Sequence, residues 1–349
     1  MLFRGVVNIR IKKSQLFLLC FLIFGAIGVV IFQKLLLEDV YDQYGRSAVN
    51  WSTSVMLSNL IWFFWGIVIA NSITVKGKLL PLFYTVVLCF AVFINIDDVF
   101  KGVVFSAENT RGGSATFNHL FVASNVVVLF FYCFSSYSGR ARLMVSILYL
   151  YVLFSLQGRA ALFGAISTIF IFWLINSGLS SKLKVIAFFS SVLMISLFSI
   201  DFGSLQSNLG SRFSFSSGMD EDISFIYRLQ AMVEGVNWLP QQTLFGDPTI
   251  FVKYMSGLGS YMHNFLSIWQ IFGLPFTIIT VFLMYYGTRK FSIVFDKNDP
   301  SCVFIFLILV YSIIQLIIAQ SILFKVFWFI LGVIFSRVKY KKINGVGYV

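Results

Sequence analysis

Asp201 to His263 read DFGSLQSNLGSRFSFSSGMDEDISFIYRLQAMVEGVNWLPQQTLFGDPTIFVKYMSGLGSYMH, the one long interval of the chain not built mainly of apolar residues. It holds Arg212 and Arg228, the acidic triplet Asp220-Glu221-Asp222, the turn-like Leu244-Phe245-Gly246-Asp247-Pro248 and, at the lip of the next apolar run, His263-Asn264. On either side the sequence is dominated by hydrocarbon. Of 349 residues 58% are hydrophobic and 42 are Phe, and the mean hydropathy is +0.88. An ordinary water-soluble domain is roughly half apolar and a quarter charged; here only 11% is charged. The apolar runs recur from end to end, each long enough to cross a ~30 Å hydrocarbon core as a helix. They are continuous rather than alternating, which excludes a β-barrel. The expected fold is all-α: a polytopic transmembrane helix bundle of about ten spans, one integral domain over residues 1–349, with 201–263 as a long loop.

Charge sets the orientation. The net charge of +12 could suggest a polyanion partner, but Lys and Arg cluster in alternate segments between the apolar runs. These are Arg4, Arg10, Lys12 and Lys13; Lys76 and Lys78; Arg140 and Arg142; Lys182 and Lys184; Arg289, Lys290 and Lys297; and Arg337, Lys339, Lys341 and Lys342. That alternation is the positive-inside pattern, and it puts both termini in the cytoplasm. Of the 14 Asp and Glu residues only Asp296 and Asp299 fall on the inner side. The charge therefore reports topology, and no nucleic-acid partner is expected. Cys20, Cys89, Cys133 and Cys302 lie in or at the ends of apolar runs, so neither a disulfide framework nor a CxxC metal site is suggested. The basic head and apolar run at the N-terminus resemble a signal peptide, but Ser14–Leu37 is too long for an h-region and lacks a small-residue cleavage site; it is taken as the first span.

Along the chain, spans are placed at about Gln15–Leu37, Ser52–Thr74, Leu79–Ile96, Asn118–Ser136 and Leu143–Leu156. A sixth starts at Ala160, directly after Gln157-Gly158-Arg159, and further spans follow at about Val185–Ile200, Asn264–Gly287, Ser301–Ala319 and Ile322–Phe335. Within the eighth, Pro275 removes a backbone donor and should bend the helix. Inside the loop, Ile223–Leu239 reads as an amphipathic helix, with Ile223, Ile226, Leu229, Val233 and Val236 on one side and Ser224, Arg228 and Ala231 on another. No internal repeat is visible.

Several residues could carry chemistry. Arg159 stands at an outer helix start, against the positive-inside bias, and guanidinium near hydrocarbon usually faces a cavity or partner. Two readings stand open: a fork clamping phosphate oxygens, or a side chain snorkelling to headgroups or paired with a loop carboxylate. Arg228 has no acid three or four residues away to explain it as a helical ion pair. Arg212, in the Gly- and Ser-rich Gly210–Gly218 segment, is less constrained and reads first as a solvated side chain. His263, one of two histidines, can accept a proton near neutrality without a metal, though a lone histidine is often structural. His119 reads as structural. The Asp220-Glu221-Asp222 run either binds a divalent cation or is simply solvated. Lys34 and Lys325 near outer helix ends read as snorkelling. There is no Walker A loop, GxSxG elbow or HExxH motif, and no cofactor is called for.

Taken together, Gln157-Gly158-Arg159-Ala160-Ala161-Leu162, Leu244-Phe245-Gly246, and His263-Asn264-Phe265-Leu266 leading to Gln270-Ile271-Phe272-Gly273-Leu274-Pro275 resemble motifs of the bacterial O-antigen polymerase (Wzy) and O-antigen ligase superfamily. The first is similar to a Ser-Arg-Gly-Ala-Leu-type element, the second to a loop turn, the third to a His-Asn-x-x-Leu segment followed by Glu-x-Gly-Leu. Topology is similar over nearly the whole chain; the motifs cover about Gln157 to Pro275. The chain departs where Asp247-Pro248 follows Gly246 in place of a second glycine, and where Gln157 replaces a common serine. The resemblance implies a metal-independent, GT-C-like glycosyltransferase of the bacterial inner membrane, working at the periplasmic face on undecaprenyl-pyrophosphate-linked oligosaccharides. It implies His263 as general base on the acceptor hydroxyl and Arg159 and Arg228 as stabilisers of the departing pyrophosphate, with Arg212 and Asn264 as substrate-binding residues. Membrane lipid and a chain-length regulator are the further partners it suggests. The favoured activity is repeat-unit polymerisation. An O-antigen ligase acting on lipid A-core, or a flippase or transporter of another class, remains the alternative.

Overall fold

The computed structural model describes residues 13–42, 44–70, 72–75, 77–94, 119–156, 159–176, 223–239, 244–254, 264–318 and 324–336. Among these the structure is helical, with α1 Lys13–Leu36, α2 Ala48–Ile69, α3 Leu79–Ile94, α4 His119–Ser136, α5 Gly139–Ser155, α6 Arg159–Asn176, α7 Ile223–Trp238, α8 Ile250–Tyr254, α9 Ser267–Val294, α10 Pro300–Ile318 and α11 Lys325–Ser336. A single isolated β-bridge, Tyr41 to Ser47, is the only extended pairing among the described residues. Among the described residues four segments are long and apolar enough to cross a membrane: Gln15–Leu36, Ala48–Ile69, Ser267–Val294 and Pro300–Ile317. The expected span Val185–Ile200 and the basic termini lie outside the described residues.

Why these segments are helices follows from what surrounds them. In an apolar environment an unpaired backbone group is expensive, and a helix pairs nearly all of its own. Hydroxyl side chains turn back onto the helix for the same reason: Thr53 Oγ1 donates to Val49 O at 2.9 Å, Thr168 Oγ1 to Gly164 O at 2.7 Å and Thr280 Oγ1 to Phe276 O at 2.9 Å. α1 is apolar on every side. It buries Leu19, Leu22, Ala26 and Val29 while exposing Phe17, Phe24 and Leu35 by 70% or more, the distribution of a helix with hydrocarbon outside as well as protein inside.

The chain forms two compact units. The first contains residues 1–74, 231–296 and 320–349. In it α11 lies along α2, and two glycines let the backbones touch. A Cβ on Gly66 would collide with the carbonyl oxygen of Phe329, and one on Gly332 with that of Phe63. Small residues of this kind let membrane helices touch backbone to backbone. The free C-terminal carbonyl of Phe335 in α11 is taken by Gln15 Nε2 at 2.6 Å and Lys290 Nζ at 2.8 Å, side chains doing what the next helical turn would have done. Between α1 and α2 a short loop is closed by Asp42. Its Oδ1 accepts from the backbone N–H groups of Tyr44 and Arg46, both at 2.9 Å, and its Oδ2 from Arg46 Nε at 2.8 Å. Burial alone would raise this carboxyl, but the Arg46 side chain and the two backbone donors outweigh it and hold the pKa below its ordinary value.

The second unit contains residues 75–230 and 297–319. Its core is aromatic: Phe130 stacks on Tyr149 with centroids 5.5 Å apart, Phe131 meets Tyr311 edge-on at 5.7 Å, and Phe134 meets Phe172 edge-on at 5.7 Å. Gln315 Nε2 of α10 donates to Ala160 O in the first turn of α6 at 2.7 Å, fixing the start of the helix that Arg159 opens.

Candidate functional site

α9 is two helical segments joined at a break. Gly273 has φ 82° and ψ 173°, a backbone conformation from which a side chain would normally exclude the residue. The bend expected at Pro275 is thus made two residues earlier. Pro275 then falls in the first turn of the onward segment, where its missing N–H would have had no helical partner anyway.

A break inside a buried apolar helix exposes backbone groups that must be paired within the protein. The pairing comes from the Leu244–Thr249 turn and from α1. Leu274 N donates to Leu244 O at 3.0 Å and Asp247 N donates to Gln270 O at 3.0 Å, so helix and turn exchange hydrogen bonds much as two short strands would. Gln33 of α1 completes the exchange: its Nε2 donates to Ile271 O at 2.6 Å and Phe245 O at 3.1 Å, while its Oε1 accepts from Ser52 Oγ at 2.6 Å. Every polar atom of that buried amide is used.

Two glycines make the approach possible. Gly246 has φ 75°, and a Cβ there would stand 2.6 Å from Gly273 N and 2.7 Å from the Ile271 carbonyl carbon. A Cβ on Gly273 would strike Leu244 O and stand 2.5 Å from Phe245 Cα. The Phe245 ring packs on Phe32, centroids 4.2 Å apart. Asp247, the residue that departs from a second glycine, closes the turn by accepting at Oδ1 from Thr249 N at 2.9 Å and Thr249 Oγ1 at 2.6 Å, an Asx-type turn. The two motif segments Leu244-Phe245-Gly246 and Gly273-Leu274-Pro275 are therefore one interlocked piece of structure.

Asn264 leads into α9. Its Oδ1 accepts from Leu266 N at 2.9 Å, and its backbone oxygen accepts from Ser267 N at 3.1 Å and Ser267 Oγ at 2.7 Å. The oxygen of its side chain is thus committed to starting the helix, while the amide nitrogen makes no hydrogen bond among the described residues. Arg159 is the first residue of α6 and Arg228 stands within α7, but the side chains of both, together with His263 and Arg212, lie outside the described residues. The same is true of Asp220-Glu221-Asp222; among the described residues no cluster of His, Cys, Asp and Glu could hold a metal ion.

Two residues of this region are given no role by a reading of charge and motifs, although one of them, Gln270, opens a motif segment. Gln33 is one. Gln270 is the other: it is fully buried, and neither its Nε2 nor its Oε1 has a partner among the described residues. The signal for both is a carboxamide inside an apolar run, a group that membrane helices use as hydrogen-bonding glue or for ligands. Compared with family models, with curated proteins and with solved structures, the chain matches none.

Proposed function

We propose that the chain is a membrane glycosyltransferase that polymerises undecaprenyl-pyrophosphate-linked oligosaccharide repeat units into a surface polysaccharide, O-antigen or capsule. In this reading about ten spans place both termini in the cytoplasm and the 201–263 loop in the periplasm. The observation that carries it is the interlock of Gly246 with Gly273. Two of the segments on which the resemblance rests are built into one scaffold, and Asn264, the residue that follows His263 in the sequence, forms the turn that leads into α9. A periplasmic site has no sugar nucleotide at hand, so a donor already activated on lipid follows.

The chemistry is a substitution at an anomeric carbon. The acceptor hydroxyl of one lipid-linked unit attacks the first sugar of the lipid-linked chain, a new glycosidic bond forms, and the bond to pyrophosphate breaks to release undecaprenyl pyrophosphate. His263 takes the proton of the attacking hydroxyl. Arg159 and Arg228 meet the charge that grows on the leaving pyrophosphate, and Arg212 and Asn264 hold substrate. In cells lacking the native gene, His263→Ala should leave the surface polysaccharide at one repeat while the wild-type chain restores a ladder of lengths. A normal ladder from the variant removes His263 from the mechanism.

A further inference from the structure

The region around the helix break contains two buried carboxamides with opposite accounts. Gln33 spends all of its hydrogen-bonding atoms on Ile271 O, Phe245 O and Ser52 Oγ. Among the described residues Gln270 spends none of its side chain, although its backbone oxygen is held by Asp247 N. A sealed amide without partners is a net loss to folding. A Leu or Met at that position would fill comparable space without the loss, so packing alone does not account for glutamine.

Its place and its chemistry narrow what completes it. Asn264, Ser267 and Gln270 follow one another at three-residue spacing from the segment that carries His263, and the first two are tied by the Ser267 Oγ to Asn264 O bond. A carboxamide offers an acceptor and donors side by side with no formal charge. It cannot offset the desolvation of a bare phosphate or ammonium group, but it matches neighbouring hydroxyls of a sugar ring, accepting from one and donating to the next. We propose that Gln270 is a sugar-binding residue of this site: its amide takes hydroxyls of the lipid-linked oligosaccharide as the ligand enters and the packing around it gives way. The assignment deepens the polymerase reading and rests on it.

The test uses the full chain, purified in detergent, and two probes. One is the lipid-linked oligosaccharide extracted from cells that cannot polymerise it; the other is undecaprenyl pyrophosphate without sugar. Thermal midpoints are read with and without each. Gln270→Met, which keeps length and removes the polar atoms, should melt at or above wild type without probe. It should bind the oligosaccharide lipid at least tenfold more weakly while binding undecaprenyl pyrophosphate unchanged. Gln270→Asn, which keeps the amide but withdraws it by one methylene, should show the same selective loss. If both variants bind both probes as wild type does, the amide serves at most a buried water and the proposal falls. A midpoint lowered by Gln270→Met also overturns it, because the amide is then structural. Wild-type protein that responds to neither probe refutes the substrate reading itself, and the sugar assignment with it.

Discussion

Gln33→Met tests whether the helix break is held by the bonds described. The substitution keeps the length of the side chain and removes a donor shared by two carbonyls and an acceptor used by one hydroxyl. Ser52 loses little, because its Oγ already contacts Val49 O at 3.0 Å. Outside the helices, no other backbone donor among the described residues reaches either carbonyl. Ile271 O is in a buried bond and should forfeit the full desolvation penalty of an unmet group; Phe245 O, part-buried, should forfeit less. Together these come to about 2–4 kcal/mol, a large fraction of the stability of a folded domain. Gln33→Glu sharpens the test, since a carboxylate fills the same volume but offers only oxygen to two carbonyl oxygens, and should be at least as damaging at neutral pH. Thermal unfolding of the purified chain, followed by tryptophan fluorescence, reads both. If Gln33→Met and Gln33→Glu melt with the wild type, Gln33 is packing only and the break is held by other means.

Other consequences are as direct. Gly273→Ala places a Cβ into the backbone of Leu244 and Phe245 at a positive φ; it should cost more than about 2 kcal/mol from strain and overpacking combined, and a variant that melts like wild type would mean the turn does not dock there. Gly66→Ala and Gly332→Ala each drive a methyl into the facing backbone of α11 or α2. Each should destabilise by about 1–3 kcal/mol, and because they open the same contact the double variant should cost less than the sum of the two. The Asp42 loop should respond to acid. A carboxyl whose folded pKa is lowered stabilises the folded loop above its unfolded pKa, and that contribution is lost as pH falls below the ordinary value of 3.8 and through the folded one. Hydrogen exchange at the Tyr44 and Arg46 amides, protected at neutral pH and losing protection only in that acid range, would show it; protection independent of pH would not.

Most of the helical pattern is legible in the residues, since an apolar run bounded by charge is a local property. Boundaries move where charge is not a helix end. α5 begins at Gly139 rather than near Leu143, and α9 continues past Arg289 and Lys290 to Val294. Hydropathy finds where a helix crosses hydrocarbon, whereas the backbone ladder runs on as long as side chains can reach a partner. Arg142 sets its guanidinium over the Phe134 ring at 4.8 Å and donates from Nε to Tyr137 O, and Lys290 caps Phe335 O. The interlock of turn and break was less legible. Both glycine-bearing segments stand out in the sequence, but their partnership depends on Gln33, 238 residues from Ile271, and periodicity says nothing about a contact between such distant positions. A proline inside a helix announces a bend; only the upstream turn decides that Gly273 makes it.

The same break bears on the choice between an enzyme and a transporter. Secondary transporters place substrate on discontinuous helices, where the unwound backbone groups of the helix themselves coordinate the cargo. Here those groups are already spoken for: Leu274 N by Leu244, Gln270 O by Asp247, Ile271 O by Gln33. A transporter-type site would have to evict the chain's own turn to reach them. Among the described residues around the break, the side chain of Gln270, in the helical turns that follow Asn264, is left unspent. With these backbone groups paired, the proposed recognition of a glycan by side chains is what a site that holds it still while a bond is exchanged would need. Transport assays can separate the two. Proteoliposomes bearing wild-type chain and a fluorescent lipid-linked oligosaccharide should yield products of two or more repeats without an increased rate of transfer between leaflets. Accelerated transfer with no product longer than one repeat would return the break to the role it has in transporters.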